Sequence, residues 1–281
     1  MDRKIIAKVR GQRAVDGAGV SLVRVLGLNT VKAFDPILML DSFDSTDPND
    51  YIAGFPEHPH RGIETISYIS RGNMVHKDSM GNEDAISDGE VQWMNAGSGV
   101  MHEEMLPASE RMLGVQLWLN LPSDEKMSNP SYKSIKNSEI EEIEFEGGKI
   151  RLLSGSYKDH KGHKGEHLPL DYYDIHLEKD AKIKIDTNRD DSIMIFTLLG
   201  DVYIGDELIE EKTAVKFSEG DFINIKNASE YAQVLFISSK KLDEDIAWAG
   251  PIVMNTREEL EVAFNDLRNG NFIKEKIDYE E

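Results

Sequence analysis

The sequence predicts an all-β protein made of two similar barrels, followed by one short helix near the end. Three observations carry this. Short β-type runs, such as Ile63 to Ile69, Val115 to Leu119, Ile193 to Leu199, Phe222 to Ile225 and Gln233 to Ile237, are separated by Gly, Asn and Asp turns. A weak internal repeat is present: ISYISRG ending at Gly72 resembles IFTLLG ending at Gly200, and SDGEVQWM around Gly89 resembles SEGDFINI around Gly220, at similar separations. Near the end, Thr256 and Glu259 form a capping box, Leu260, Phe264 and Leu267 make one apolar face, and Gly270 stands at the C-terminal cap. That helix is read as a packing element.

A chain of 281 residues has room for about two domains of this kind. The polar stretch Ser123 to Gly148, with Pro130 and the acidic run Glu139 to Glu146, marks the join. The expected division is 1–125 for the N-terminal barrel, 126–148 for a linker or exposed excursion, and 149–281 for the C-terminal barrel with its helix. The acidic run is read as a solvated surface.

With 52 acidic and 32 basic residues, the formal charge is -20, which repels phosphate backbones and anionic membrane surfaces. Direct binding of nucleic acid or membrane is therefore not expected. There is no Cys, so disulfides and thiolate ligands are excluded. No apolar run at the N-terminus suits a signal peptide, which points to the cytoplasm and leaves the Asn227-Ala228-Ser229 triplet without meaning as a glycosylation site.

Two i, i+2 couples stand out: His58 with His60 in EHPHRG, and His102 with Glu104 in MHEEM. In extended chain both members of a couple project from one face, and Glu103 points away. Two such faces together supply three imidazoles and one carboxylate, a set that suits a divalent transition metal (Fe, Mn, Co, Ni, Cu or Zn) better than Ca or Mg. Anchored on the repeat glycines, His58 and His60 correspond to Asp186 and Asn188, and His102 and Glu104 to Gln233 and Leu235, so the second half has no equivalent ligand set. His76 and Asp78 form another such pair, read either as pocket lining behind the ligands or as a polar strand end, and Gln116 in VQLWL is a polar residue that faces the cavity or a neighbouring backbone. Trp93, Trp118 and the methionines Met94, Met101, Met105 and Met112 are read as core, some of them shaping an apolar mouth. His160, His163 and His167 lie among Lys and Gly and are read as an exposed loop.

HPHRGIET followed by HKDSMG, then DGEVQWMNAGSGVMHEEM, GVQLWLNLP and AWAGPIVMNTREEL, is closely similar to the pirin family of the cupin superfamily. The resemblance implies a bicupin: two facing β-barrel (double-stranded β-helix) domains, the C-terminal helical segment packing back, and a metal, commonly iron, in the N-terminal barrel. The implied ligands fall on His58, His60, His102 and Glu104. The general cupin pattern instead carries its Glu shortly after the HxH pair, here Glu64, which remains a candidate for orienting a His ring. The chain also has Asn95 where cupins usually place Pro, and a longer turn before the last His, departures that fit pirins.

The resemblance implies two functions of different class. One is a quercetin 2,3-dioxygenase-like oxidoreductase acting with dioxygen on a small aromatic, flavonol-like substrate. Its 3-hydroxyl would be deprotonated by Glu104, dioxygen added across the ring carbons and carbon monoxide lost. The other is a non-enzymatic regulator that binds a transcription factor or metabolic enzyme according to the oxidation state of its metal.

Overall fold

The computed structural model describes residues 1–274. Strands dominate, with the twelve-residue helix Arg257–Arg268 near the end. No described helix is long and apolar enough to cross a membrane.

The chain forms two compact units, and neither is contiguous in sequence. One combines Arg13–Leu22, Ile37–Lys136 and the residues from Leu242 on; the other combines Met1–Gln12, Val23–Pro36 and Asn137–Lys241. This differs from the division 1–125, 126–148, 149–281. The N-terminal strand Ile5–Arg10 pairs with Thr213–Phe217 of the second barrel, and the helix belongs with the first. The expected linker carries strands too: Ser131–Ile135 pairs with Glu90–Asn95 in one unit, and Glu141–Phe145 with Gly148–Ser154 in the other. Backbone groups in so polar a stretch still need partners, and sheet edges provide them. Glu142 on this acidic strand meets Lys149 at 2.8 Å and Arg151 at 2.9 Å.

In the first barrel a four-stranded sheet, in the order Phe55–His60, Val100–Met105, Met74–Asp78, Glu83–Ile86, supplies one wall. The larger sheet supplies the other, with Glu90–Asn95, Ile63–Arg71 and Met112–Asn120 side by side. Val20, Leu22, Phe43, Ile69, Met74 and Met112 form an apolar cluster in this unit. The second barrel repeats the plan: Lys182–Asp186 pairs with Phe222–Asn227, opposite a sheet containing Leu170–Glu178, Ser192–Leu199 and Tyr231–Ser239.

This pairing corrects the repeat register. Gly89 opens the strand that pairs with Ile63–Arg71, whereas Gly220 precedes the strand that pairs with Lys182–Asp186, one strand further along. The strand pair at the corresponding place carries Ile183 opposite Ile225 and Ile185 opposite Ile223, all buried in the second core. Asp186, Asn188, Gln233 and Leu235 are not the counterparts. The absence of a second ligand set among the described residues stands, because aliphatic side chains fill that space.

The C-terminal segment is tied to the first barrel through Arg61 and Gly62. The Arg61 guanidinium, 1 % exposed, donates to Asp266 Oδ2 and the Phe272 carbonyl, both at 2.8 Å, and stacks on the Phe272 ring at 4.3 Å. Thr256 and Glu259 form the expected capping box, and Leu260, Phe264 and Leu267 pack against Ile252, Met254 and Phe272. Gly62 has φ +78, and a Cβ there would sit 2.0 Å from the Val253 carbonyl oxygen. We expect Gly62→Ala to lose about 2–4 kcal/mol in urea unfolding, combining left-handed strain with displacement of the strand Ile252–Met254. An unchanged midpoint would contradict this close approach.

Candidate metal centre

Sheet register gathers the site. His102 lies opposite His58 on one side and Asp78 on the other, and Glu104 lies opposite His76. One row across three strands is thus His58, His102, Asp78, and the adjoining row contains Glu104 and His76. Alternation turns both rows to the same face. From the facing sheet a row Gln92, Ser67, Gln116 looks back at them.

The rings of His58, His60 and His102 lie with centroids 4.4 to 4.9 Å apart. His58 Nε2 is 3.1 Å from His60 Nε2 and 3.0 Å from His102 Nε2. The partners of the other ring nitrogens assign the tautomers. A carbonyl oxygen only accepts, so His58 Nδ1, 2.8 Å from the Pro56 oxygen, and His60 Nδ1, 3.0 Å from the Pro251 oxygen, carry the hydrogens. His76 Nε2 donates to Asp78 Oδ2 at 2.8 Å, which leaves His76 Nδ1 as an acceptor facing His102 Nδ1 in a long 3.5 Å contact. In His58, His60 and His102 Nε2 is then the lone-pair nitrogen. Three lone pairs converge with no hydrogen to share, an arrangement that repels itself unless a cation is held between them. These three residues form a group that could hold a metal ion.

Burial keeps the His60 and His102 rings neutral. It lowers the His60 pKa to about 3, helped by the neighbouring His58 and opposed by the Pro251 carbonyl. His102 is pushed well below the usual imidazole range, first by burial and then by His60, His58 and His76. His58 is partly exposed while His60 and His102 are buried, so access is from the His58 side.

Glu104 is 1 % exposed and joins His102 and His76 in a second group of metal-capable residues, not the three-imidazole group itself. Gln92 Nε2 donates to its Oε1 and Gln116 Nε2 to its Oε2, each at 2.7 Å, and Gln116 also reaches Ser67 Oγ at 3.2 Å. Gln116 therefore faces the cavity. His76, fully buried, stacks on Tyr132 with centroids 4.3 Å apart, and Asp78 is pinned by Met80 N and Asn82. Trp118 lies edge-on to His60 at 5.0 Å and close to Trp248 at 5.7 Å, and its buried indole N–H has no acceptor among the described residues.

Glu64 is elsewhere. Strand alternation puts it on the face opposite Ser67, where its Oε1 accepts from Trp93 Nε1 at 2.9 Å, so it does not orient a ligand ring and Trp93 is no part of the mouth. Among the described residues, His160, His163 and His167 belong to no metal-capable group; His160 meets Glu141 at 2.7 Å. Gln92, Tyr132 and the Pro251 carbonyl were missed. The only local sign of Gln92 is a polar residue in an apolar strand, the same sign that marked Gln116.

The family model described as Pirin matches residues 19–119, and that described as Pirin C-terminal cupin domain matches 172–273. A pirin-like protein of Caulobacter vibrioides is 37% identical over 274 residues, covering 96% of this chain and 99% of that one. Pirin of Homo sapiens is 35% identical over 274 residues, covering 95% and 93%. The crystal structure of a quercetin 2,3-dioxygenase from Acinetobacter baumannii superposes with a TM-score of 0.89 at 32% identity, covering 97% of this chain and 99% of that chain.

The depressed imidazoles set a pH dependence for the metal-free protein. Above the ordinary value of 6.5 these rings are neutral in both folded and unfolded chains. As pH falls from 6.5 toward 3 the unfolded chain takes up protons that the folded one refuses, so stability falls. Between pH 6.5 and 5 the cost for His60 is about 2 kcal/mol. His60→Gln, unfolded in urea beside the metal-free parent, is expected to lose less on acidification; parallel slopes would contradict the assignment.

Proposed function

The chain belongs to the pirin family, and from that membership and its buried imidazole cluster we propose a metal-dependent dioxygenase acting on flavonol-like aromatic substrates. The observation that carries this reading is the convergence of three Nε2 lone pairs, each aimed by a partner on the far side of its ring. The donor set fits a divalent transition metal, with iron first and Mn, Co, Ni, Cu or Zn as substitutes. His58, His60 and His102 would hold it, and Glu104 would add its carboxylate beside His102. Such a metal supplies Lewis acidity and an electron route between an electron-rich ring and dioxygen, which these side chains lack.

The protein's own groups do the rest. Glu104 takes the proton from the substrate hydroxyl, and two glutamine amides orient its carboxylate for the transfer. Gln92 and Gln116 fix where that proton goes, since each carboxylate oxygen is already oriented by one N–H. Trp118 and Trp248 give a flat aromatic substrate a wall beside His60, and the Trp118 N–H offers a donor to one of its oxygens. Asp78 and His76 keep the His102 ring in its tautomer.

The test is oxygen-dependent carbon monoxide release from quercetin by protein of known metal content. We expect release in proportion to bound metal, abolished in Glu104→Ala. A fully metallated protein that releases none would overturn the dioxygenase reading and favour a metal-dependent regulator.

A further inference from the structure

The second barrel has an outward face whose charge runs against that of the chain. In strand Lys182–Asp186 burial alternates, so Ile183 and Ile185 enter the core while Lys182, Lys184 and Asp186 face out. In Phe222–Asn227, Ile223 and Ile225 point inward and Phe222, Asn224 and Lys226 outward. Register then sets Lys182 directly opposite Lys226, with Tyr203 on the other side of Lys226 and Leu208 opposite Tyr203. Over them lies a cleft of about 390 Å³ bordered by Lys182, Lys184, Tyr203, Gly205, Asn224 and Lys226.

Like charges directly opposite in a sheet are destabilising by a few tenths to about 1 kcal/mol. A chain with 52 acidic residues has ample means to relieve this, yet neither Lys182 nor Lys226 meets a carboxylate among the described residues. Lys184 is paired with Asp186 at 2.8 Å and lies over the Phe222 ring. Lysines on an edge strand guard it against pairing with other chains, which accounts for Lys182 and Lys184. Lys226 lies on an inner strand and has no such duty. Beside it Tyr203 and Leu208 are 37% and 46% exposed, an apolar pair at the margin of the basic cleft.

We propose that this face docks an acidic segment of a partner protein, its carboxylates meeting Lys182 and Lys226 and one apolar side chain resting on Tyr203 and Leu208. Charge complementarity selects the occupant: on a chain of net charge -20, the facing Lys182 and Lys226 form a local basic site that attracts carboxylates. The inference does not depend on the metal centre, which lies in the other unit.

The probe is a fluorescein-labelled peptide of alternating glutamate and leucine, titrated against the full-length protein by anisotropy. Saturable binding that weakens with added salt is expected, reduced about tenfold or more in the double variant Lys182→Glu, Lys226→Glu and unchanged in His58→Ala. Both lysines are exposed, and an unchanged urea midpoint verifies that the double variant is folded; Tyr203→Ser with Leu208→Ser tests the apolar half independently. Absence of binding, or equal binding by the charge-reversed variant, would overturn the proposal. Displacement of the peptide by an equal concentration of sodium phosphate would overturn it too, assigning the lysines to a small oxyanion.

Discussion

Three imidazole lone pairs brought to one point are the constraint on which the first barrel is arranged. Each ring has two nitrogens, and the one facing inward is free only because the other is engaged outward. Pro56 does this for His58 within the same strand, Pro251 does it for His60 from far along the chain, and the His76–Asp78 pair faces His102 from the neighbouring strand. The segment that carries Pro251 is therefore part of the site's construction. Arg61, next to His60, holds the segment that carries Pro251 by an ion pair, a carbonyl bond and a ring contact.

The two barrels show what such a centre demands of a fold. In the second, the strand pair at the corresponding place presents four isoleucines, and the interior is closed by aliphatic packing. In the first, that strand pair carries titratable groups, and a buried polar group must be matched by partners. The matching is done by a complete row from the facing sheet, Gln92, Ser67 and Gln116, with Glu104 between the two amides. The scaffold is shared and the chemistry is grafted on one copy of it.

Much of this was legible in the residues because its signals are local. The i, i+2 couples at His58 and His102 survive as same-face pairs, and the Thr256–Glu259 capping box is present as the residues spell it. What was not legible depends on which strand lies beside which. Glu64 follows the HPH motif closely in sequence, but its parity along Ile63–Arg71 turns it to the far face, toward Trp93. The repeat glycines match in local sequence and differ by one strand in position, so counting from them misassigned the counterparts of His102 and Glu104. Pro251 shows no sign of its role before the fold brings its carbonyl to His60, and the N-terminal strand gives no hint that it pairs with Thr213–Phe217.

The most direct measurement is X-ray absorption on iron-loaded protein of known metal content, made on the parent and on His102→Ala. Three imidazole nitrogens are expected around each metal in the parent, and a marked loss of bound metal in the variant with the fold intact. Full metal retention in His102→Ala, or a metal shell without imidazole in the parent, would contradict it.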